Sequence, residues 1–113
     1  MVRTISKQEI DEYISEIVNR VVPEISPEKI YLFGSFASDN YDKDSDIDLC
    51  FVIKNSRSIK KSRHKINEIL SDRKMPLDII VCSKEDMEKR QDVIGTIQYR
   101  VAQDGELIYE RER

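Results

Sequence analysis

Ile30-Tyr31-Leu32-Phe33-Gly34-Ser35, followed after a polar stretch by Asp46-Ile47-Asp48-Leu49-Cys50-Phe51-Val52-Ile53, is the part of the chain that decides the fold. Ile30 to Phe33 reads as a short buried strand running into a Gly-Ser turn. From Asp46 to Ile53, alternation puts Asp46, Asp48, Cys50 and Val52 on one face and Ile47, Leu49, Phe51 and Ile53 on the other. Leu77 to Val81, after Pro76, is a third strand in which Asp78 and Ile80 share a face. Upstream, Ser6 with Glu9 makes a capping box. Ile10, Tyr13, Ile14, Ile17, Val18 and Val21 then form one helical stripe ahead of Pro23, suited to covering a sheet. Lys54 to Lys74 is expected to be a basic helix with Ile59, Ile66, Ile69 and Leu70 inward. Ser83 with Asp86 opens another helix, and Val93, Ile94, Ile97 and Val101 give a further stripe stopped by Gly105. Leu107 to Tyr109 adds an edge strand. Strands alternating with helices predict an α/β (α+β) domain, a small mixed β-sheet flanked by helices, filling residues 1–113 as one unit.

Composition bounds the rest. The 113 residues carry 19 Lys+Arg against 22 Asp+Glu, 36% charged in all, and Leu, Ile, Val and Phe supply enough apolar side chains for one modest core. A net charge of -3 and a pI near 5.3 argue against a duplex nucleic-acid binder held by phosphate contacts. The longest apolar run, Leu49 to Ile53, is far too short for a membrane span, and Met1-Val2-Arg3-Thr4 does not open a secretory signal, so a cytoplasmic location is expected. Cys50 and Cys82 sit in apolar runs with no CxxC spacing and a single histidine in the chain, which reads as two buried thiols and not as a disulfide framework or a zinc site.

Asp46, Asp48 and Asp78 break these apolar strand patterns. An ionised carboxylate there is costly unless something positive compensates it. Asp46 and Asp48, two residues apart in a strand, project to the same side with Cα atoms roughly 6 to 7 Å apart, close enough to converge on one divalent ion. Asp78 on an adjacent strand would complete the set. Oxygen ligands without His or Cys favour Mg²⁺ or Mn²⁺ over zinc. An EF-hand loop is excluded, since a frame starting at Asp42 puts Ile47 where glycine belongs and Ile53 where glutamate belongs. Asp39, Asp42 and Asp44 read as solvated loop residues. Gly34 and Ser35 supply the second half of a phosphate site: a glycine after a buried strand admits close backbone approach, and the following N–H groups and hydroxyl can donate to phosphate oxygens.

Together, Leu32-Phe33-Gly34-Ser35-Phe36-Ala37, Ser45-Asp46-Ile47-Asp48-Leu49 and Leu77-Asp78-Ile79-Ile80 resemble the minimal nucleotidyltransferase domain of the polymerase-beta-like superfamily. That family's signature is Gly-Ser, ten residues, Asp-x-Asp, and here the ten run from Phe36 to Ser45. The resemblance implies a nucleotidyltransferase fold with Asp46, Asp48 and Asp78 as catalytic, metal-holding carboxylates for two Mg²⁺ ions, Mn²⁺ being an alternative. Gly34 and Ser35 would bind the nucleotide. The activity it implies is transfer of AMP from ATP, the substrate, to an acceptor hydroxyl. Chains this short that resemble the family lack the domain with which larger members bind an antibiotic or RNA. The acceptor expected is another protein, and the partner that the resemblance implies is a HEPN ribonuclease toxin, inactivated by adenylylation of a tyrosine, with this chain as antitoxin. A binding module that neutralises its partner by contact alone, and a transferase acting on a small molecule or RNA end, are the alternatives; homo-oligomerisation is left open.

The chain departs from the family's common Gly-Ser-x-Ala-Arg-Gly at Ser38 and Asp39, which replace the Arg and Gly and exchange a positive for a negative charge near the phosphates. Lys43 or the basic segment is a candidate to compensate. Lys54, Arg57, Lys60, Lys61, Arg63 and Lys65 occur there without an acid. This segment reads either as a surface for an acidic partner or the nucleotide, or as an ordinary solvated helix face. His64 within it reads as a surface residue.

Overall fold

The computed structural model describes residues 6–38, 40–42 and 44–112; Asp39 and Lys43 therefore lie outside the described residues. Helix α1 (Lys7–Ile25) opens where expected, with the Ser6 hydroxyl accepting from the Glu9 N–H at 3.1 Å. It does not stop before Pro23. The proline sits exposed in the last turn, and the Asn19 carbonyl that its missing N–H leaves unpaired belongs to an exposed residue, where water can satisfy it. The helix closes instead at Ser26, which adopts φ +53° and donates its N–H to the Val22 carbonyl. Strand β1 (Lys29–Phe33) follows, then β2 (Ile47–Ile53).

The expected long basic helix is shorter than its sequence pattern. A 3-10 turn over Ser56–Ser58, held by the Asn55 side chain accepting from the Arg57 N–H, precedes α2 (Ile59–Ile69). Two cations end it. Arg20 of α1 donates to the Ile69 carbonyl and Arg73 Nε to the Leu70 carbonyl at 3.1 Å, satisfying orphan acceptors at the negative end of the helix dipole. Strand β3 (Leu77–Ser83) leads into α3 (Lys84–Arg90), with Ser83 capping by accepting from the Asp86 N–H at 3.0 Å.

The expected stripe through Val93 and Ile94 is not helical. Gly95 has φ +95° and Thr96 caps α4 (Ile97–Asp104) by accepting from the Tyr99 N–H, so Val93 and Ile94 fall in the preceding turn, 48% and 81% exposed. Gly105 does stop α4, by close packing and not by a left-handed φ. A Cβ there would run into the Val101 carbonyl oxygen and lie 3.5 Å from that of Leu32. Strand β4 (Glu106–Glu110) completes the chain's sheet.

The four strands lie in the order β3-β2-β1-β4, with β1 antiparallel to both neighbours and β2 parallel to β3 through the α2 crossover, a mixed sheet as expected. One face packs Ile30, Leu32, Ile47, Leu49, Phe51, Ile53 and Val81 against Ile10, Tyr13, Ile14, Ile17 and Val21 of α1 and Ile66 of α2. Each fully buried side chain of this kind contributes about 1.5–3 kcal/mol. The other face packs Phe33, Cys50, Val52 and Cys82 against Met87 of α3 and Val101 of α4. Among the described residues no helix is long and apolar enough to cross a membrane.

Candidate active site

Strand pairing brings the anomalous carboxylates to one corner of the second face. Asp48 near the start of β2 is the Cα partner of Asp78 on parallel β3 and of Phe33 on antiparallel β1. Asp46 immediately precedes β2. Because side chains alternate, Asp48 shares its side with Cys50 and Val52, and Asp78 with Ile80 and Cys82, all on the face covered further along by α3 and α4. Asp46 and Asp78 are exposed and Asp48 is half-buried.

Gly34 closes this corner. It has φ +77°, and a Cβ built on it would collide with Asp48 Oδ2 and come within 3.0 Å of Asp48 Cγ. Glycine is therefore required twice over, for the turn and for the space that the Asp48 carboxylate occupies. The Ala37 and Ser38 N–H groups both donate to the Gly34 carbonyl, at 3.2 and 3.3 Å, and the Asn40 N–H donates to that of Ser35 at 3.0 Å, making one tight turn. Phe36, buried and stacked on Tyr41 at 4.7 Å, pins that turn to the core. Neither aromatic residue stood out in the sequence; an apolar residue directly after Gly-Ser was the available signal. Ser38, standing where the family often has Arg, folds its hydroxyl back onto the Gly34 and Ser35 carbonyls.

Asp42 and Asp44 are exposed loop residues, as expected. The Asp42 carboxylate accepts from the Asp44 N–H at 2.8 Å, and Ser45 Oγ accepts from the Asp42 N–H at 2.9 Å, a local turn that aims the chain into β2. Asp48 titrates above the ordinary carboxylate range. Partial burial is the largest cause, followed by the Asp78 charge; Arg100 opposes the shift and Asp46 adds to it. Arg100, on α4, was not singled out from the sequence, because which end of the sheet α4 reaches is a tertiary fact. Its guanidinium carbon lies 5.6 Å from the centre of the Phe33 ring.

Among the described residues no three carboxylate, histidine or cysteine side chains form a ready-made cation cage. Hard oxygen donors on neighbouring strands nonetheless suit Mg²⁺, which commonly takes one or two carboxylates and completes its shell with water and substrate phosphates. A hollow along the outer side of α1, by Lys7, Asp11, Glu12 and Ser15, includes none of these groups.

The basic segment lies elsewhere. Ile53, at the other end of β2, is about 17 Å along the strand from Asp48, and Lys54 follows it. Ile66 of α2 packs on the opposite sheet face from the carboxylates. Lys65 pairs with Glu24 at 3.6 Å, and exposed His64 lies 3.7 Å from Glu68. The two cysteines are buried free thiols with Sγ atoms 3.6 Å apart, and the hydrogen bond with Cys82, together with burial, pushes the Cys50 thiol up.

Residues 12–100 match the family model described as a nucleotidyltransferase domain. Over 74 residues the chain is 31% identical to MJ0141 of Methanocaldococcus jannaschii, named as a candidate protein adenylyltransferase, an alignment covering 60% of this chain and 74% of that one. A crystal structure of a candidate nucleotidyltransferase from Sulfolobus solfataricus superposes with a TM-score of 0.61 at 21% identity, over 98% of this chain and 93% of that one. A toxin–antitoxin crystal structure with AMP-PNP gives a TM-score of 0.52 at 15% identity, covering 86% and 73%. At these identities the two structures share the fold.

Proposed function

From the premise that the chain belongs to the nucleotidyltransferase domain family, and so to that class of enzyme, we propose that it transfers AMP from ATP to a tyrosine hydroxyl of a HEPN ribonuclease toxin and acts as that toxin's antitoxin. The observation that carries the transfer is the corner itself: Asp48 set beside Asp78 across a parallel strand pair, with Gly34 cleared of a side chain to admit the Asp48 carboxylate. The naming of MJ0141 as a candidate protein adenylyltransferase supports a protein acceptor. The AMP-PNP in the toxin–antitoxin neighbour supports an adenine nucleotide as donor and a toxin as partner.

Asp46, Asp48 and Asp78 are the residues to hold Mg²⁺ or Mn²⁺, which when bound would neutralise the triphosphate and polarise the α-phosphorus. Gly34 and Ser35 seat the leaving end of the triphosphate against backbone N–H groups and the hydroxyl. Asp78, exposed at the open edge of the corner, faces the acceptor and takes its proton. The acceptor oxygen then bonds to the α-phosphorus while the bond to the β-phosphate oxygen breaks and pyrophosphate leaves. In-line displacement needs positioning and charge neutralisation more than covalent help, so a small domain suffices.

The test is to incubate the protein with α-labelled ATP, Mg²⁺ and the product of the adjacent gene, then map the label by mass spectrometry. Adenylylated tyrosine on a HEPN partner is the expected result. Label on RNA or a small molecule, or a tight complex without label, would overturn the assignment of the acceptor.

A further inference from the structure

We propose that Arg100 is a phosphate-binding residue of this same site, its guanidinium held on the Phe33 ring to meet the triphosphate of the nucleotide. The inference rests on the nucleotidyl-transfer reading and adds to it the cation that the Gly-Ser turn lacks. Ser38 occupies the position where an arginine is common in the family, and its hydroxyl is turned back onto the Gly34 and Ser35 carbonyls, so the turn brings no positive charge of its own at that position. Arg100 enters from a different direction. It stands on α4 next to Val101, which is fully buried against the second sheet face and so fixes the helix over the end of β1. The guanidinium carbon lies 5.6 Å from the Phe33 ring centre, and Phe33 is both the residue before Gly34 and the strand partner of Asp48.

Among the described residues Arg100 forms no ion pair. A guanidinium held over an aromatic ring keeps N–H groups available for two-point recognition of phosphate oxygens. Placed beside carboxylates but not consumed by them, it attracts the anionic tail of a nucleotide to a corner whose own charge would otherwise repel it.

Titration calorimetry of ATP with Mg²⁺ into wild type, Arg100→Ala, Arg100→Met and Arg100→Lys tests this, with circular dichroism confirming that each variant is folded. Arg100→Ala and Arg100→Met should each weaken ATP binding by about tenfold or more, and Arg100→Lys, which keeps the charge without the fork, by clearly less. Arg100→Met removes the charge and keeps an unbranched side chain at the position. If it binds ATP as wild type does, or if Arg100→Ala is unchanged, the assignment is overturned while the site stands. If wild type itself does not bind ATP, the nucleotidyl-transfer reading fails and this inference with it.

Discussion

Gly34 and Asp48 are in contact across the β1–β2 pair: the glycine Cα, at φ +77°, lies where any side chain would strike the Asp48 carboxylate. Gly34→Ala therefore combines a disfavoured backbone with displacement of Asp48. Stability should fall by about 1–3 kcal/mol in denaturant unfolding. Transfer should fall further, by about a hundredfold in kcat/KM, because small misplacements of a reacting group cost that much. Equal, modest losses in both would mean that Gly34 serves the turn alone.

Asp48 also gives a pH dependence of defined sign. Its folded pKa is raised above that of the unfolded chain, by burial first and then by Asp78. Its contribution to stability is thus fully present below the unfolded carboxylate pKa, near 3.8, and is lost as pH rises through the folded value. Asp48→Asn should abolish transfer in the presence of Mg²⁺ yet, with EDTA present, raise the thermal midpoint at neutral pH and flatten its dependence on pH. Added Mg²⁺ should stabilise wild type more than the variant. A variant that unfolds at neutral pH would assign Asp48 a structural role.

The basic segment should be dispensable for chemistry. Lys60→Ala with Lys61→Ala should leave kcat/KM for ATP within about twofold at physiological salt, since these lysines lie beyond Ile53, itself about 17 Å along the strand from Asp48 and so near two Debye lengths away, on a helix that packs on the opposite sheet face. A large rise in KM for ATP would place these lysines at the nucleotide.

Ile17 and Ile94 are both isoleucines in helical-looking stripes, yet Ile17 is fully buried and Ile94 is 81% exposed. Ile17→Ala should cost about 2–5 kcal/mol and Ile94→Ala less than about 0.5 kcal/mol, measured by chemical denaturation.

That contrast shows what could be read from the sequence and what could not. Period-two alternation was enough to put Asp48 on the side of Cys50 and Val52 and Asp78 beside Ile80, because side-chain direction in a strand is local, whereas Asp46, expected inside the strand, precedes β2. The mixed sheet and the Gly34-Ser35 turn were legible for the same reason. Val93 and Ile94 matched a helical period, but Gly95 and the Thr96 cap, also local signals, outweighed it. Pro23 looked like a helix end because sequence alone does not show that the Asn19 carbonyl it leaves unpaired is on an exposed residue. The register Asp48 with Asp78, the separation of the basic segment from the carboxylates and the arrival of Arg100 over Phe33 are all products of strand order and helix placement. No local pattern encodes those.

The most direct measurement supplies ATP labelled at either the α- or the γ-phosphate to wild type, Asp48→Asn and Asp78→Asn with Mg²⁺ and the acceptor protein, and counts label on the acceptor. Wild type should transfer only the α-label, and both folded variants neither. Transfer of the γ-label, or undiminished α-labelling by either variant, would contradict a nucleotidyl transfer centred on these carboxylates.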